Sequence, residues 1–144
     1  ESEDGAEFSM QRRGPRPGNF QVTIDGMSLP CQKPPWGTLS AVDTTTGNIA
    51  WQQTLGLSEV LPEENQNTGR AGRAAALVTA GNLIFIAATD DNRLRALDTM
   101  TGQQLWETTL AKRGNANPMT YRGPDGNQYV VISATDTLRA FRLP

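Results

Sequence analysis

The 144-residue chain has no histidine and a single cysteine, Cys31. Without histidine there is no Ser-His-Asp triad, no Cys-His pair, no imidazole-ligated zinc or haem, and no imidazole pH switch. One cysteine can close no internal disulfide and build no thiolate cluster. No run of 18 apolar residues occurs, so nothing reads as a membrane-crossing helix. Lys and Arg number 13 against 15 Asp and Glu, a net charge of -2 without the basic excess that a nucleic-acid partner calls for. Charged residues are only 19%, while 37% hydrophobic residues still suffice for a core. Helix-period apolar patterns of any length are also missing. The acidic start, Glu1-Ser2-Glu3-Asp4, is no signal peptide. The expectation is therefore a removed leader or a piece of a longer chain.

The length suits one domain that would bury roughly 70% of its unfolded surface. Residues 1–36 read as an irregular N-terminal segment with one short strand. Glu1 to Glu7 is an acidic cluster, and Gln11 to Asn19 is broken by prolines and glycines. Phe20 to Ile24 alternates apolar with polar residues and is expected to form the strand, closed by Asp25-Gly26. Pro30, Pro34 and Pro35 then force an extended path to Trp36.

From residue 37 onward the chain repeats itself. Ala41 to Trp51 returns as Ala96 to Trp106 at an offset of 55, with six of eleven positions identical, in the pattern A-x-D-x-x-T-G-x-x-x-W. Leu138-Arg139-Ala140-Phe141 echoes Leu94-Arg95-Ala96-Leu97 once more, 44 residues on. Repeats of this size built from strand-like segments predict propeller blades of four antiparallel strands. Asp43 and Asp98 open the turns, each carboxylate within reach of backbone N–H groups two residues on. Gly47 and Gly102 supply positive φ there. Trp51 and Trp106 follow as rings that dock one blade on the next, each able to bury on the order of 200 Å². The layout is all-β: about two and a half blades, too few for a closed ring, over residues 37–144. It comprises two strands (about Thr38–Asp43 and Ile49–Thr54), a full blade from Ala74 to Thr109, and three strands ending at the C-terminus. Residues 56–72 are expected to be a long polar excursion over one face.

Several of these segments together resemble a known family. Cys31-Gln32-Lys33-Pro34-Pro35-Trp36-Gly37, the two turn-and-tryptophan copies, Asp91-Asn92-Arg93-Leu94-Arg95-Ala96, and Asn117-Pro118-Met119-Thr120-Tyr121 before Gln128-Tyr129-Val130-Val131 follow one another in its order. The chain resembles the C-terminal part of a PQQ-dependent (quinoprotein) dehydrogenase of the membrane-bound glucose/quinate type, over roughly residues 30–142. The resemblance implies an eight-bladed propeller that holds pyrroloquinoline quinone near its axis with calcium or magnesium. It implies oxidation of sugars, polyols or alcohols on the periplasmic side of a bacterial cell envelope, with electrons passing to ubiquinone. It also implies that the metal ligands and catalytic residues lie in blades outside this chain, so no catalytic or metal-ligating residue is assigned here.

Two departures from that pattern bear on function. Gly72-Arg73-Ala74-Ala75-Ala76 stands where the family shows Asn-x-Gly-Gly-Pro. Ser133-Ala134-Thr135-Asp136-Thr137 replaces a loop that carries Gly-Gly-His. The expectation is a chain inactive on its own that does not bind PQQ or a metal tightly by itself. The alternative is a non-catalytic propeller module, either a degenerate remnant or a protein-interaction scaffold.

The cofactor-side candidates are Trp36 and Asp91. Trp36 either lines the axial cavity or is one more packed ring. Asp91 matches a family acidic position near the cofactor and is otherwise a turn former. Arg93 and Arg95 are expected to be solvated or edge-facing, and Cys31 to be inert. Open blade faces imply partners: the missing N-terminal blades, or self-association, including pairing of the Phe20–Ile24 strand onto an edge.

Overall fold

The computed structural model describes residues 20–143, so the N-terminal acidic cluster and the segment Gln11–Asn19 lie outside the described residues. The chain divides after Gln32 into two compact units. In the first, β1 (Gln21–Ile24) pairs antiparallel with β2 (Met27–Pro30). Asp25 and Gly26 make the tight turn, both with positive φ (46° and 78°), the mirror-image geometry that suits two-residue hairpins. The sequence reading placed one strand here and an extended path through Pro30. The second strand forms because Pro30 sits at its very end, where a missing N–H costs the ladder little.

The second unit holds nine strands in three antiparallel sheets. The first sheet is the hairpin β3 (Thr38–Val42) and β4 (Ile49–Thr54). The second runs β5 (Leu77–Val78), β6 (Leu83–Ile86), β7 (Arg93–Asp98), β8 (Gln104–Thr109) in simple order. The third contains β9 (Met119–Arg122), β10 (Gln128–Ala134) and β11 (Thr137–Arg142). Among the described residues there is no α-helix, only one 3-10 turn at Glu63–Asn65. This is the meander of partial propeller blades that the repeat implies. The expected first strand of the full blade, Ala74 to Thr79, contracts to two residues. Ala75 N–H leaves the ladder and donates to Asn117 Oδ1 at 2.7 Å.

The two central strands of the second sheet, β6 and β7, are buried on both faces, which explains why Leu83 to Ala88 reads as an unbroken apolar run rather than an alternating one. Ile84 and Ile86 face the first sheet, packing with Leu55, Leu97 and Trp51. Phe85 and Ala87 point the other way, into clusters shared with Val130 and Ile132 of the third sheet. Two seams result, each filled by period-2 side chains from neighbouring sheets.

The repeat is visible in the backbone. Gly47 N–H donates to Asp43 O at 2.7 Å and Gly102 N–H to Asp98 O at 2.9 Å, with φ of 74° and 76° at the two glycines. Both copies also slip register at the same place, opposite Ala41/Val42 and opposite Ala96/Leu97.

The excursion at 56–72 is a loop, as expected from its polar sequence, and it is folded on itself. Its ends are drawn together, Gly69 N–H bonding Gly56 O at 3.0 Å and Arg70 N–H bonding Leu55 O at 2.8 Å. Inside it the buried hydroxyls of Ser58 and Thr68 are 2.7 Å apart. It is a compact loop packed by its own side chains, closed at a narrow neck.

Candidate functional site

The neck of that loop forms one wall of a cavity of about 280 Å³ between the first two sheets, lined by Trp36, Leu39, Leu55, Arg70, Ala74 and Thr89 among others. Trp36 leads into β3, and its N–H donates to Thr68 O at 2.6 Å, which fastens the start of the first sheet to the loop. The approach there is glycine-dependent. A Cβ on Gly37 would lie 2.2 Å from Arg70 O, and one on Gly69 2.2 Å from Gly37 O. Arg70 is only 7% exposed, and its guanidinium grips Asp90 as a fork, Nε to Oδ1 at 2.7 Å and Nη2 to Oδ2 at 3.0 Å. A buried cation paired in this way is the arrangement low-dielectric surroundings require. The sequence reading singled out Trp36 but not Arg70 or Asp90. The one available signal was an arginine flanked by Thr68-Gly69 and Ala71-Gly72, a composition that suits close backbone approach.

Asp91, the other cofactor-side candidate, does not line this cavity. Its side chain is 1% exposed and fully engaged. Oδ1 accepts from Thr89 Oγ1 at 2.7 Å and Oδ2 from Leu57 N–H at 2.9 Å, while the Arg95 guanidinium reaches both oxygens. Burial pushes the carboxyl pKa up, but the Arg95 and Thr89 hydrogen bonds, the Arg95 charge and the Leu57 N–H outweigh it and hold the group below its ordinary value.

Arg93 and Arg95 are neither solvated nor edge-facing, contrary to expectation. The Arg95 side chain is 4% exposed and Arg93 18%. Arg95 Nε also meets Glu107 Oε2 at 3.1 Å, and Arg93 meets both Glu107 and Glu59. Those partners lie 14 and 34 residues from Arg93, on β8 and on the loop, where no local spacing rule would find them.

The structure brings Trp51, Asp98 and Gly102 together. Trp51 Nε1–H donates to Thr99 O at 2.9 Å, within the turn that Asp98 shapes by accepting from Met100 N–H at 2.9 Å and Thr101 N–H at 2.8 Å. Asp43 shapes the first turn in the same way, accepting from Thr45 N–H at 2.8 Å, but nothing lies within 4 Å of a Cβ placed on Gly47. Trp106 remains 42% exposed and meets Phe141 edge-on, ring centroids 5.6 Å apart. It borders a largely apolar cavity of about 490 Å³ in the second seam. Among the described residues no group of three or more His, Cys, Asp or Glu could hold a metal ion.

Residues 1–130 match the family described as PQQ: Glucose/ethanol/alcohol dehydrogenase, beta-propeller domain. The chain belongs to this PQQ β-propeller family. It is 41% identical over 116 residues to quinoprotein glucose dehydrogenase A of Acinetobacter calcoaceticus, covering 77% of this chain and 14% of that protein. To the quinate/shikimate dehydrogenase (quinone) of Acinetobacter baylyi it is 38% identical over 125 residues, 77% of this chain and 15% of the relative. Among solved structures a europium-containing methanol dehydrogenase matches 66% of this chain and 14% of its own, with 28% identity and a TM-score of 0.52. The PQQ-propeller segment thus spans about one seventh of the length of the curated relatives it matches.

Proposed function

We propose that this segment forms part of the cofactor chamber of a PQQ-dependent dehydrogenase that oxidises sugars, polyols or alcohols. The observation that carries this is the cavity between the first two sheets, which Trp36 and Arg70 both line in a chain of this family. PQQ is a flat, anionic ortho-quinone that accepts two electrons from a substrate when bound. A tryptophan and an arginine in one lining suit such a group, the ring for its face and the Arg70 Nη1 donors, which take no part in the Asp90 fork, for a carboxylate. The calcium or magnesium of the family does not fit the described residues, which offer no ligand cluster. The catalytic residues and metal ligands, on this reading, belong to a longer protein of which this segment is a part. On this reading the segment alone does not turn over substrate or hold PQQ tightly. Location on the periplasmic side of the envelope, and electron transfer to ubiquinone, belong to that longer protein.

A non-catalytic propeller module is the second reading. The engagement of both Asp91 oxygens with Arg95, Thr89 and Leu57 favours it, because the family's acidic position is then committed to holding structure. In that case the open seam at Trp106 and the outer edge of β11, which pairs with no further strand among the described residues, serve association, with further blades or with a second copy.

The test is dye reduction by the pure chain supplied with PQQ and calcium or magnesium, using glucose, quinate or glycerol as substrate. No turnover is the expected result, and PQQ-dependent turnover would contradict it. Copurification of PQQ with the longer protein then separates the two readings, since only the chamber wall requires the cofactor.

A further inference from the structure

Five ionised side chains alternate in sign across the second sheet, and the cavity at Trp36 uses none of them directly. Glu59 on the loop meets the Arg93 guanidinium, which reaches on to Glu107 of β8. Glu107 Oε2 accepts from Arg95 Nε at 3.1 Å, and Arg95 holds Asp91 between β6 and β7. Asp91 then returns to the loop, accepting Leu57 N–H at 2.9 Å. The series begins and ends on the same loop, at Glu59 and at Leu57. Its inner half is out of water, Arg95 at 4% and Asp91 at 1% exposure, so its attractions are little screened.

The loop is in turn cross-tied. Ser58 N–H donates to Gln66 O at 2.9 Å, the Ser58 and Thr68 hydroxyls meet, and Gly69 N–H closes on Gly56 O at 3.0 Å. These bonds join residues 56–58 to the 66–70 side of the loop, where Arg70 lies at the neck two residues beyond the Thr68 carbonyl that holds Trp36.

We propose that Arg93 and Arg95 are positioning residues. Their charge ladder sets where the 56–72 loop sits on the second sheet, and through it the shape of the cavity between Trp36 and Arg70. Two planar forks are needed because each arginine bridges two acceptors at once, which a lysine ammonium on a flexible stem does poorly. The inference does not depend on what the cavity binds.

Amide hydrogen exchange of the full chain tests it, with Leu57 and Arg70 as reporters because their N–H groups are bonded to Asp91 and to Leu55 O. Glu59→Gln alters only the outermost, exposed partner. It should speed exchange across residues 57–68 by about fivefold while leaving β6 and β10 unchanged. Arg95→Lys keeps the charge and loses the fork, and should speed Leu57 and Arg70 by about tenfold or more, again without change in β6 and β10. Loop amides that exchange at the parent rate in both variants would overturn the proposal. So would an acceleration shared equally by β6 and β10, which would mark general loss of stability instead.

Discussion

The indole N–H of Trp51 donates to the carbonyl of Thr99 at 2.9 Å, joining two sheets across 48 residues of sequence. Directly beneath the ring lies Gly102, where a Cβ would come within 2.7 Å of the indole. One tryptophan thus reads a neighbouring turn in two ways, by a hydrogen bond and by a glycine's missing side chain.

The two repeat glycines separate these contributions. Gly47 and Gly102 share a φ near +75°, but only Gly102 has a ring against it. Gly47→Ala should cost about 1 kcal/mol, the strain of a left-handed alanine. Gly102→Ala adds overpacking and should cost about 3 kcal/mol. Urea unfolding of both variants measures the difference, and equal costs would remove the ring contact from the account.

Tryptophan substitutions should be unequal as well. Trp51→Phe leaves the part-buried Thr99 carbonyl without its donor and should lose about 1–3 kcal/mol. Trp106, 42% exposed, should lose less than about 1 kcal/mol on the same change. Thermal denaturation of the pair is the check.

Asp91 gives an acid-range signature. Its pKa is held below the ordinary carboxylate value, so its stabilising effect is fully present above about pH 4 and is lost as pH falls through its folded-state pKa. Asp91→Asn should lower stability at neutral pH by about 3 kcal/mol, because Arg95 loses its ionised partner in a buried setting. The gap between parent and variant should narrow steadily below pH 4. Asp43 and Asp98, also lowered by hydrogen bonds from their turns, titrate alike in both proteins and cancel from that difference.

At the cavity, Asp90→Ala should cost about 2–3 kcal/mol by stranding the Arg70 cation, 7% exposed, beside Trp36. Arg70→Met combined with Asp90→Ala should recover part of that loss. A strictly additive double mutant would show the pair to be uncoupled.

Much of the fold was legible because strand alternation and turn chemistry are local signals. Ile49–Thr54 forms a strand with the bounds its pattern suggests, and both Asp-x-x-Thr-Gly segments make the turns their residues favour. Met27–Pro30 was hidden by its proline, although Asp25-Gly26 is itself a hairpin signal. The burial of Arg93 and Arg95 was not legible at all. A charged residue on a strand reads as solvated until its partners are known, and Glu59 and Glu107 come from other elements. The cavity shows the same division. Trp36 could be singled out from its proline-flanked position, whereas Arg70 reaches the site only through the closure of a seventeen-residue excursion whose ends meet in space.

The docking of blade on blade by Trp51 can be measured through hydrogen exchange of the indole N–H groups, assigned with the Trp51→Phe variant. The Trp51 indole, bonded to Thr99 O between two packed sheets, should exchange at least about a hundredfold more slowly than a free indole, and the half-exposed Trp106 indole much faster than Trp51. A Trp51 signal exchanging as fast as that of Trp106 would contradict the stacked-blade arrangement on which the cavity and the function proposed for it depend.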